Sequence, residues 1–171
     1  MAVPTPLNLP FDPIARAAAI WEGRFGDSRA MAAATSIMRV QQILLAELDA
    51  RLRPHGLTFA RYEALVLLTF SKQGALPLRL MGERLMVHPT SVTNTIRRLE
   101  RHDLVVRRPN PLDGRGILAE ITPAGREVVE RATADLMAAG FGMAGYSEEQ
   151  LEEMFGMLRG LRVLAGDFSD G

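Results

Sequence analysis

One short stretch of the chain combines side chains that suit contact with nucleic-acid bases. Between residues 89 and 101, hydroxyl and amide side chains are followed by arginines. At the helical period of about 3.6 residues per turn, Val92, Ile96 and Leu99 form one apolar stripe and the polar side chains lie opposite it. Hydroxyls and amides reach base edges in a major groove, and arginine binds phosphate or guanine. The outward face predicts contact with double-stranded DNA through Pro89, Thr90, Ser91, Thr93, Asn94, Arg97, Arg98 and Arg101.

A β-hairpin is predicted immediately after this helix. Residues 104–108 are rich in Val and indicate a strand, residues 109–116 indicate a loop dense in turn residues, and residues 117–121 a returning strand. An arginine at a narrow hairpin tip can enter a minor groove, and Asp113 could orient it through a charge-assisted hydrogen bond. Asp113-Gly114 is also explained as a simple hairpin turn. The hairpin residues predicted to contact DNA are Arg107, Arg108, Asp113 and Arg115.

Helical periodicity dominates the part of the chain that precedes these residues. Asp12 followed by Pro13 predicts a helix N-terminus, and residues 28–53 carry the apolar stripe of a longer helix. Thr58 is predicted to cap a third helix, and residues 79–85 a short helix at turn distance from the polar one. The order of short helix, turn, helix and hairpin is that of a winged helix-turn-helix.

Two further helices are predicted after the hairpin, capped by Thr122 and Ser147. The last carries an apolar stripe over residues 151–164, as does the helix near residues 37–52. These stripes predict a helical dimer interface, although packing on each other within one chain is an alternative. The fold class is therefore mainly α with a small β-hairpin wing. The predicted domains are a tail and extra helix (1–27), a helical dimerisation region (28–56 and 123–171) and a winged helix-turn-helix DNA-binding lobe (57–122).

Charge is unevenly distributed along 171 residues whose formal net charge is zero. Residues 1–71 hold seven basic and six acidic residues, residues 72–126 hold ten and five, and residues 127–171 hold three and nine. A basic middle segment indicates a phosphate-facing surface, and an acidic end must lie away from DNA.

Composition excludes several other functions. The chain has no Cys, so thiol catalysis, thiol redox sensing and disulfides are excluded. His55, His88 and His102 have no second ligand one helical turn away, so neither a metal site nor another cofactor is predicted. The chain carries none of the common nucleotide-binding or hydrolase motifs, so an enzyme is not expected. No apolar run approaches the ~20 residues of a membrane helix, and the N-terminus does not resemble a signal peptide, so we predict a cytoplasmic, nucleoid-associated protein.

Several motifs resemble those of the MarR family of winged helix-turn-helix regulators. The sequences VHPTSVTN at 87–94, LE at 99–100 and LVVR at 104–107 resemble that family's recognition helix and first wing strand. The sequences DGR at 113–115 and ITPAGR at 121–126 resemble its wing signature and following helix. The resemblance spans about residues 31–166 and implies a bacterial homodimeric repressor that binds a near-palindromic operator and is released by a small ligand. It also implies a dimer interface from helices near 31–52 and 126–166, with a ligand pocket between that interface and the DNA-binding lobe.

The effector is predicted to be a small organic molecule that is anionic or aromatic. Trp21 and Arg24 lie three residues apart on the extra helix and suit such a ligand, although Trp21 could instead pack over the dimer core. The family's urate-responsive subgroup also has a Trp-bearing N-terminal helix, but Glu63 and Thr95 stand where it has Asp and Arg, which argues against urate. The predicted ligand-pocket residues are Trp21, Arg24, Arg39, His55, Arg61 and Glu63.

One alternative function remains open at this point. A helical protein-interaction module could retain a winged domain that no longer binds DNA. Arg107, Arg115 and the polar helix face favour DNA binding, and binding to a DNA fragment distinguishes the two.

Overall fold

A computed structural model describes residues 8–111 and 113–169, and for Asp113, Gly114 and Arg115 it describes the backbone alone. The chain is mainly helical with one small antiparallel sheet, which confirms the predicted fold class. Among the described residues, no helix is both long and apolar enough to cross a membrane. The elements are α1 (Pro13–Phe25), α2 (Arg29–Leu52), a 3-10 turn (Arg53–His55), α3 (Phe59–Thr69), β1 (Ala75–Pro77), α4 (Leu78–Leu85), α5 (Pro89–Glu100), β2 (Val105–Asn110), β3 (Asp113–Ile121), α6 (Pro123–Ala138), a second 3-10 turn (Gly140–Gly142) and α7 (Glu148–Leu164).

Three of the predicted helix caps are confirmed by hydrogen bonds. The Asp12 carboxylate accepts from the backbone N–H groups of Ile14 and Ala15 at the start of α1. The Thr122 hydroxyl accepts from the backbone N–H of Gly125, and Ser147 forms a reciprocal capping box with Gln150. These side chains satisfy N–H groups that have no partner within the helix, so they fix where α1, α6 and α7 begin.

The predicted cap of α3 by Thr58 is wrong. Thr58 stands at the N-cap position, but its hydroxyl accepts from Arg61 Nε at 3.2 Å instead of capping the helix. Asp49 Oδ1, from the last turns of α2, accepts from the backbone N–H of Phe59 at 2.7 Å. A carboxylate of another helix therefore satisfies this N-terminus and ties α2 to α3.

The hairpin is longer than predicted. The sheet has the order β1-β3-β2, and the strands β2 and β3 pair from Val105 opposite Ile121 to Pro109 opposite Ile117, with a register shift before Asn110. The prediction of a loop over residues 109–116 is therefore wrong. Pro109 is tolerated because β2 is an edge strand, where a residue without an N–H need not break the ladder.

The core lies under the helix-turn-helix and the sheet. Leu65 and Leu68 of α3, Met81 of α4 and Ile96 and Leu99 of α5 are fully buried in a single apolar cluster. Gly125 permits α6 to approach the chain after α5 closely, because a Cβ at that position would lie 2.3 Å from the backbone oxygen of Leu104. The start of α6 is thus packed directly against the turn that joins α5 to β2.

Apolar side chains outside this core remain exposed on the long helices. Helix α1 packs against α2, whereas α7 makes no extensive contact with the other described elements. Phe155, Leu161 and Leu164 of α7 are 62%, 53% and 88% exposed, and Ile43 of α2 is 58% exposed. The stripes of α2 and α7 therefore do not cover each other within one chain.

Candidate nucleic-acid interface

Helix α5 lies in the orientation that its periodicity predicts. Val92, Ile96 and Leu99 are 3%, 0% and 0% exposed, so the face that carries the polar side chains points away from the core. Pro89 occupies the first turn, and His88 Nδ1 accepts from the backbone N–H of Thr90 at 3.3 Å. The helix is thus anchored by its apolar stripe and capped at the end where small polar side chains are concentrated.

The turn between α4 and α5 holds the two helices close together. The backbone N–H of Val87 donates to the oxygen of Gly82 at 3.0 Å, and Met86 adopts a left-handed backbone conformation with φ of 52°. A Cβ on Gly82 would lie 3.2 Å from the backbone oxygen of Val87, so glycine permits this tight approach. Helix α4 consequently supports α5 from behind and leaves the outer face of α5 uncovered.

The predicted α5 contacts are accessible with one partial exception. Thr93 is half-buried, and its hydroxyl donates to the backbone oxygen of Pro89 at 3.0 Å. The Thr93 hydroxyl oxygen can therefore still accept a hydrogen bond from another partner. The exposed members of the set are Pro89, Thr90, Ser91, Asn94, Arg97, Arg98 and Arg101.

A basic concavity of about 490 Å³ lies between the second half of α5 and strand β2. Guanidinium groups dominate its lining, so the surface suits the negative charge of phosphates. Arg107 donates to Glu100 through Nε at 2.8 Å and Nη2 at 2.6 Å. These hydrogen bonds lower the pKa of the Glu100 carboxyl, which is therefore ionised at neutral pH. The lining residues are Asn94, Arg97, Arg98, Glu100, Arg101 and Arg107.

Strand alternation separates the two arginines of β2. Arg107 shares a face with the buried Val105 and points toward α5, where it joins the basic concavity. Arg108 lies on the opposite face, and its Nε contacts Glu120 Oε2 at 2.7 Å. The side chains of Asp113 and Arg115 lie outside the described part of the chain, so their predicted DNA contacts remain predictions.

The predicted ligand-pocket residues lie in several separate places. Trp21 of α1 packs against Phe25 with ring centroids 4.9 Å apart, and Arg24 is exposed on the same helix. Arg39 is half-buried in the middle of α2. His55 Nε2 lies 2.7 Å from Asp135 Oδ2, so this histidine links the 3-10 turn after α2 to α6.

The remaining two candidates lie beside the helix-turn-helix. Arg61 donates to the backbone oxygen of Gly56 at 2.9 Å, and its pKa is lowered by burial and by the nearby charge of Arg98. Glu63 lines a cavity of about 80 Å³ between α3, α4 and α5, where partial burial raises the pKa of its carboxyl. None of the other five candidates lines that cavity, whose remaining polar lining side chains are Ser91 and Thr95.

Glu100 and Asp49 are two charged residues whose contacts the sequence patterns do not reveal. Each contacts a partner on a different element, Glu100 seven positions before Arg107 and Asp49 ten positions before Phe59. Helical periodicity relates residues within one helix, so it carries no signal for either contact.

Comparisons with known proteins identify the family. A sequence model of the MarR family matches residues 60–117. The crystal structure of Sco5413, a MarR family transcriptional regulator from Streptomyces coelicolor, is 65% identical and has a TM-score of 0.78, covering 83% of this chain and 99% of that one. The regulator MhqR of Bacillus subtilis is 28% identical over 122 residues, which are 71% of this chain and 83% of MhqR.

A further structural neighbour shares the fold. Sco3205, a MarR family regulator from Streptomyces coelicolor solved in complex with DNA, is 24% identical with a TM-score of 0.70, covering 80% of this chain and 89% of that one. The family match and the close similarity to Sco5413 agree with the motifs at 87–94 and 121–126. The chain therefore belongs to the MarR family of transcriptional regulators, which are not enzymes.

Proposed function

We propose that this regulator is a repressor that binds a near-palindromic operator as a homodimer and leaves it when a small organic ligand binds. The observation that best supports DNA binding is that α5 is amphipathic. Its apolar stripe is buried, while hydroxyl, amide and guanidinium groups are exposed on the other side beside Arg107. A helix of this kind fits a major groove about 12 Å wide.

The exposed residues divide into two chemical sets along α5. The first turns carry Thr90, Ser91 and Asn94, whose short side chains hydrogen-bond to base edges. The second half carries Arg97 and Arg98, and Arg101 follows directly after the helix; in the proposed complex these arginines bind phosphates on either side of the groove. In the proposed complex the hairpin brings Arg115, oriented by Asp113, to the adjacent minor groove, and Arg108 supports the wing through Glu120. The DNA complex of the similarly folded Sco3205 supports this proposal.

The proposed homodimer rests on the uncovered apolar faces of α1, α2 and α7. Phe25 is 71% exposed, Ile43 58% and Leu161 53%, and water contact with side chains of this size is unfavourable. A second copy of the chain would bury them and would hold two α5 helices about one DNA turn apart. The acidic first turn of α7, with Glu148 and Glu149, lies outside the lobe that would contact DNA.

The proposed effector is a small anionic or aromatic molecule bound near the junction of the helical region and the lobe. Arg61 and His55 are tied to that junction through Gly56 and Asp135. A ligand that displaces either contact would change how the lobe is held relative to α2 and α6. Trp21 and Arg24 would complete such a site from α1, and Arg39 from α2.

One experiment separates the regulator from an interaction module that does not bind DNA. Genomic fragments retained by the purified protein are sequenced, and the enriched sequence is measured against a shuffled duplex by fluorescence anisotropy. The expected result is enrichment of a near-palindromic site. A reporter gene controlled by that site should also be transcribed less when the protein is expressed in the cytoplasm of the host cell. Retention of no fragment above the shuffled background would refute the proposed function.

A further inference from the structure

One acidic residue lies within the otherwise basic surface proposed to contact DNA. Among the described residues that line the concavity beside α5, four are arginines and Glu100 alone is acidic. A carboxylate at this position repels phosphates and lowers the general attraction of the surface for DNA. Affinity for DNA alone does not explain an acidic residue at this position. The contacts of Glu100 indicate what this residue contributes instead.

The Glu100 carboxylate accepts hydrogen bonds from Arg107, and the charge of Arg97 also lowers the pKa of this carboxyl. Glu100 is the last residue of α5, and its Oε2 accepts from both Nε and Nη2 of Arg107 at the corner between α5 and β2. The two side chains are 35% and 29% exposed, so the pair is neither fully solvated nor buried. Two hydrogen bonds to one oxygen fix the plane of the guanidinium and leave Nη1 for another partner.

Hydrogen bonds hold the corner between α5 and β2, and with it the position of Arg107. The backbone N–H of Leu104 donates to the oxygen of Leu99 at 3.1 Å, and Asp103 adopts a left-handed conformation with φ of 57°. Thr122 donates its hydroxyl to the backbone oxygen of Asp103 at 2.7 Å, which ties the corner to the start of α6. Arg107 is thus held relative to α5 by the backbone turn and by Glu100 together.

We propose that Glu100 is a specificity-determining positioning residue, which holds Arg107 so that it contacts the duplex when α5 lies in its correct register in the groove. The inference rests on the proposed DNA-binding function. With Glu100 in place, Arg107 cannot follow phosphates on a wrongly seated duplex. Glu100 thereby lowers affinity for random DNA and raises the ratio of operator to random affinity.

The size of the effect follows from the orientation of Arg107. Removing the carboxylate charge raises affinity for operator and random DNA alike, so this contribution cancels in their ratio. Releasing Arg107 from a fixed orientation lowers operator affinity about threefold in each subunit, because an ordered contact becomes one that must be ordered on binding. With two copies in the proposed homodimer, Glu100→Gln is expected to lower the operator-to-random ratio about tenfold.

The test measures both affinities by anisotropy for the wild-type protein and for Glu100→Gln. Asp27→Asn is the matched control, because Asp27 Oδ2 likewise accepts from both Nε and Nη2 of an arginine, Arg29, but between α1 and α2 and outside the surface proposed to contact DNA. Its expected ratio is within twofold of wild type. Arg107→Lys keeps the charge but loses the paired geometry, so it is expected to lower the ratio as Glu100→Gln does.

A double variant shows whether Glu100 acts through Arg107. In an Arg107→Ala background, adding Glu100→Gln is expected to leave the ratio unchanged within twofold. A ratio that Glu100→Gln or Arg107→Lys does not lower, an equal fall in Asp27→Asn, or a further tenfold fall in the Arg107→Ala background would each overturn the inference. If the wild-type protein prefers no duplex at all, the proposed function fails and this inference with it, whereas an intact preference in Glu100→Gln refutes the inference alone.

Discussion

Replacing Asn94 with Ala tests whether α5 reads bases. Asn94 is exposed on the outer face of α5, one helical turn after Thr90, and it borders the basic concavity. An amide that hydrogen-bonds to a base edge contributes about 1–3 kcal/mol of discrimination, and a homodimer carries two copies of it. Taking the lower value for each half-site, operator binding weakens by about 2 kcal/mol, or roughly 30-fold. Random-DNA binding should change less than twofold, because Asn94 carries no charge.

The assay for Asn94→Ala is anisotropy on three duplexes, which are the operator, the operator with one symmetric base pair replaced in each half-site, and a shuffled sequence. The variant should lose its preference at the replaced position and keep its preference elsewhere. Gln73→Ala is the control, because Gln73 is an exposed amide between α3 and β1, away from the proposed interface. Equal losses on operator and shuffled DNA would show that Asn94 contacts the backbone and would refute base readout by this residue.

Three further predictions concern charge, assembly and pH. Arg97→Ala should weaken binding to all duplexes and reduce the slope of log affinity against log salt by about two for a dimer, and an unchanged slope would exclude a phosphate contact. Leu161→Glu, at a position 53% exposed, should leave the helical circular dichroism unchanged and halve the mass measured by light scattering; a retained dimer mass would contradict the proposed role of α7. Because burial raises the pKa of Glu63, its ionisation destabilises the folded state, so Glu63→Gln should raise the unfolding temperature at pH 7. This gain should shrink as pH falls below the raised pKa and vanish below the ordinary pKa of an unfolded Glu; a pH-independent difference would refute this origin.

The orientation of α5 could be predicted from sequence because its cause is local. Val92, Ile96 and Leu99 recur at the helical period, and that period alone determines which face is buried. The caps by Asp12, Thr122 and Ser147 are local for the same reason, since each bonds to a backbone group two or three residues away.

Contacts between different elements could not be predicted in this way. Asp49 displaces Thr58 as the cap of α3 because the fold brings the end of α2 to that helix, which no spacing reveals. The ladder through Pro109 depends on β2 being an edge strand, and strand order is a tertiary property. The pairing of Glu100 with Arg107 across the α5–β2 corner has the same origin.

The sequence also could not predict where the proposed ligand-pocket residues lie relative to one another. Trp21 and Arg24 lie on α1, Arg39 within α2, and Glu63 in a cavity behind α5, so residue types that suit one ligand are dispersed over the fold. The spacing of residues along the chain does not predict whether a second subunit of the proposed dimer would bring them together.

Hydroxyl-radical footprinting of the selected duplex tests most directly whether two copies of α5 bind successive major grooves on one side of DNA. We expect two protected patches centred about 10 base pairs apart, related by the twofold axis of the site, and weakened together by Asn94→Ala. A single patch, a uniformly protected duplex, or protection that Asn94→Ala leaves unchanged would contradict binding by two copies of α5.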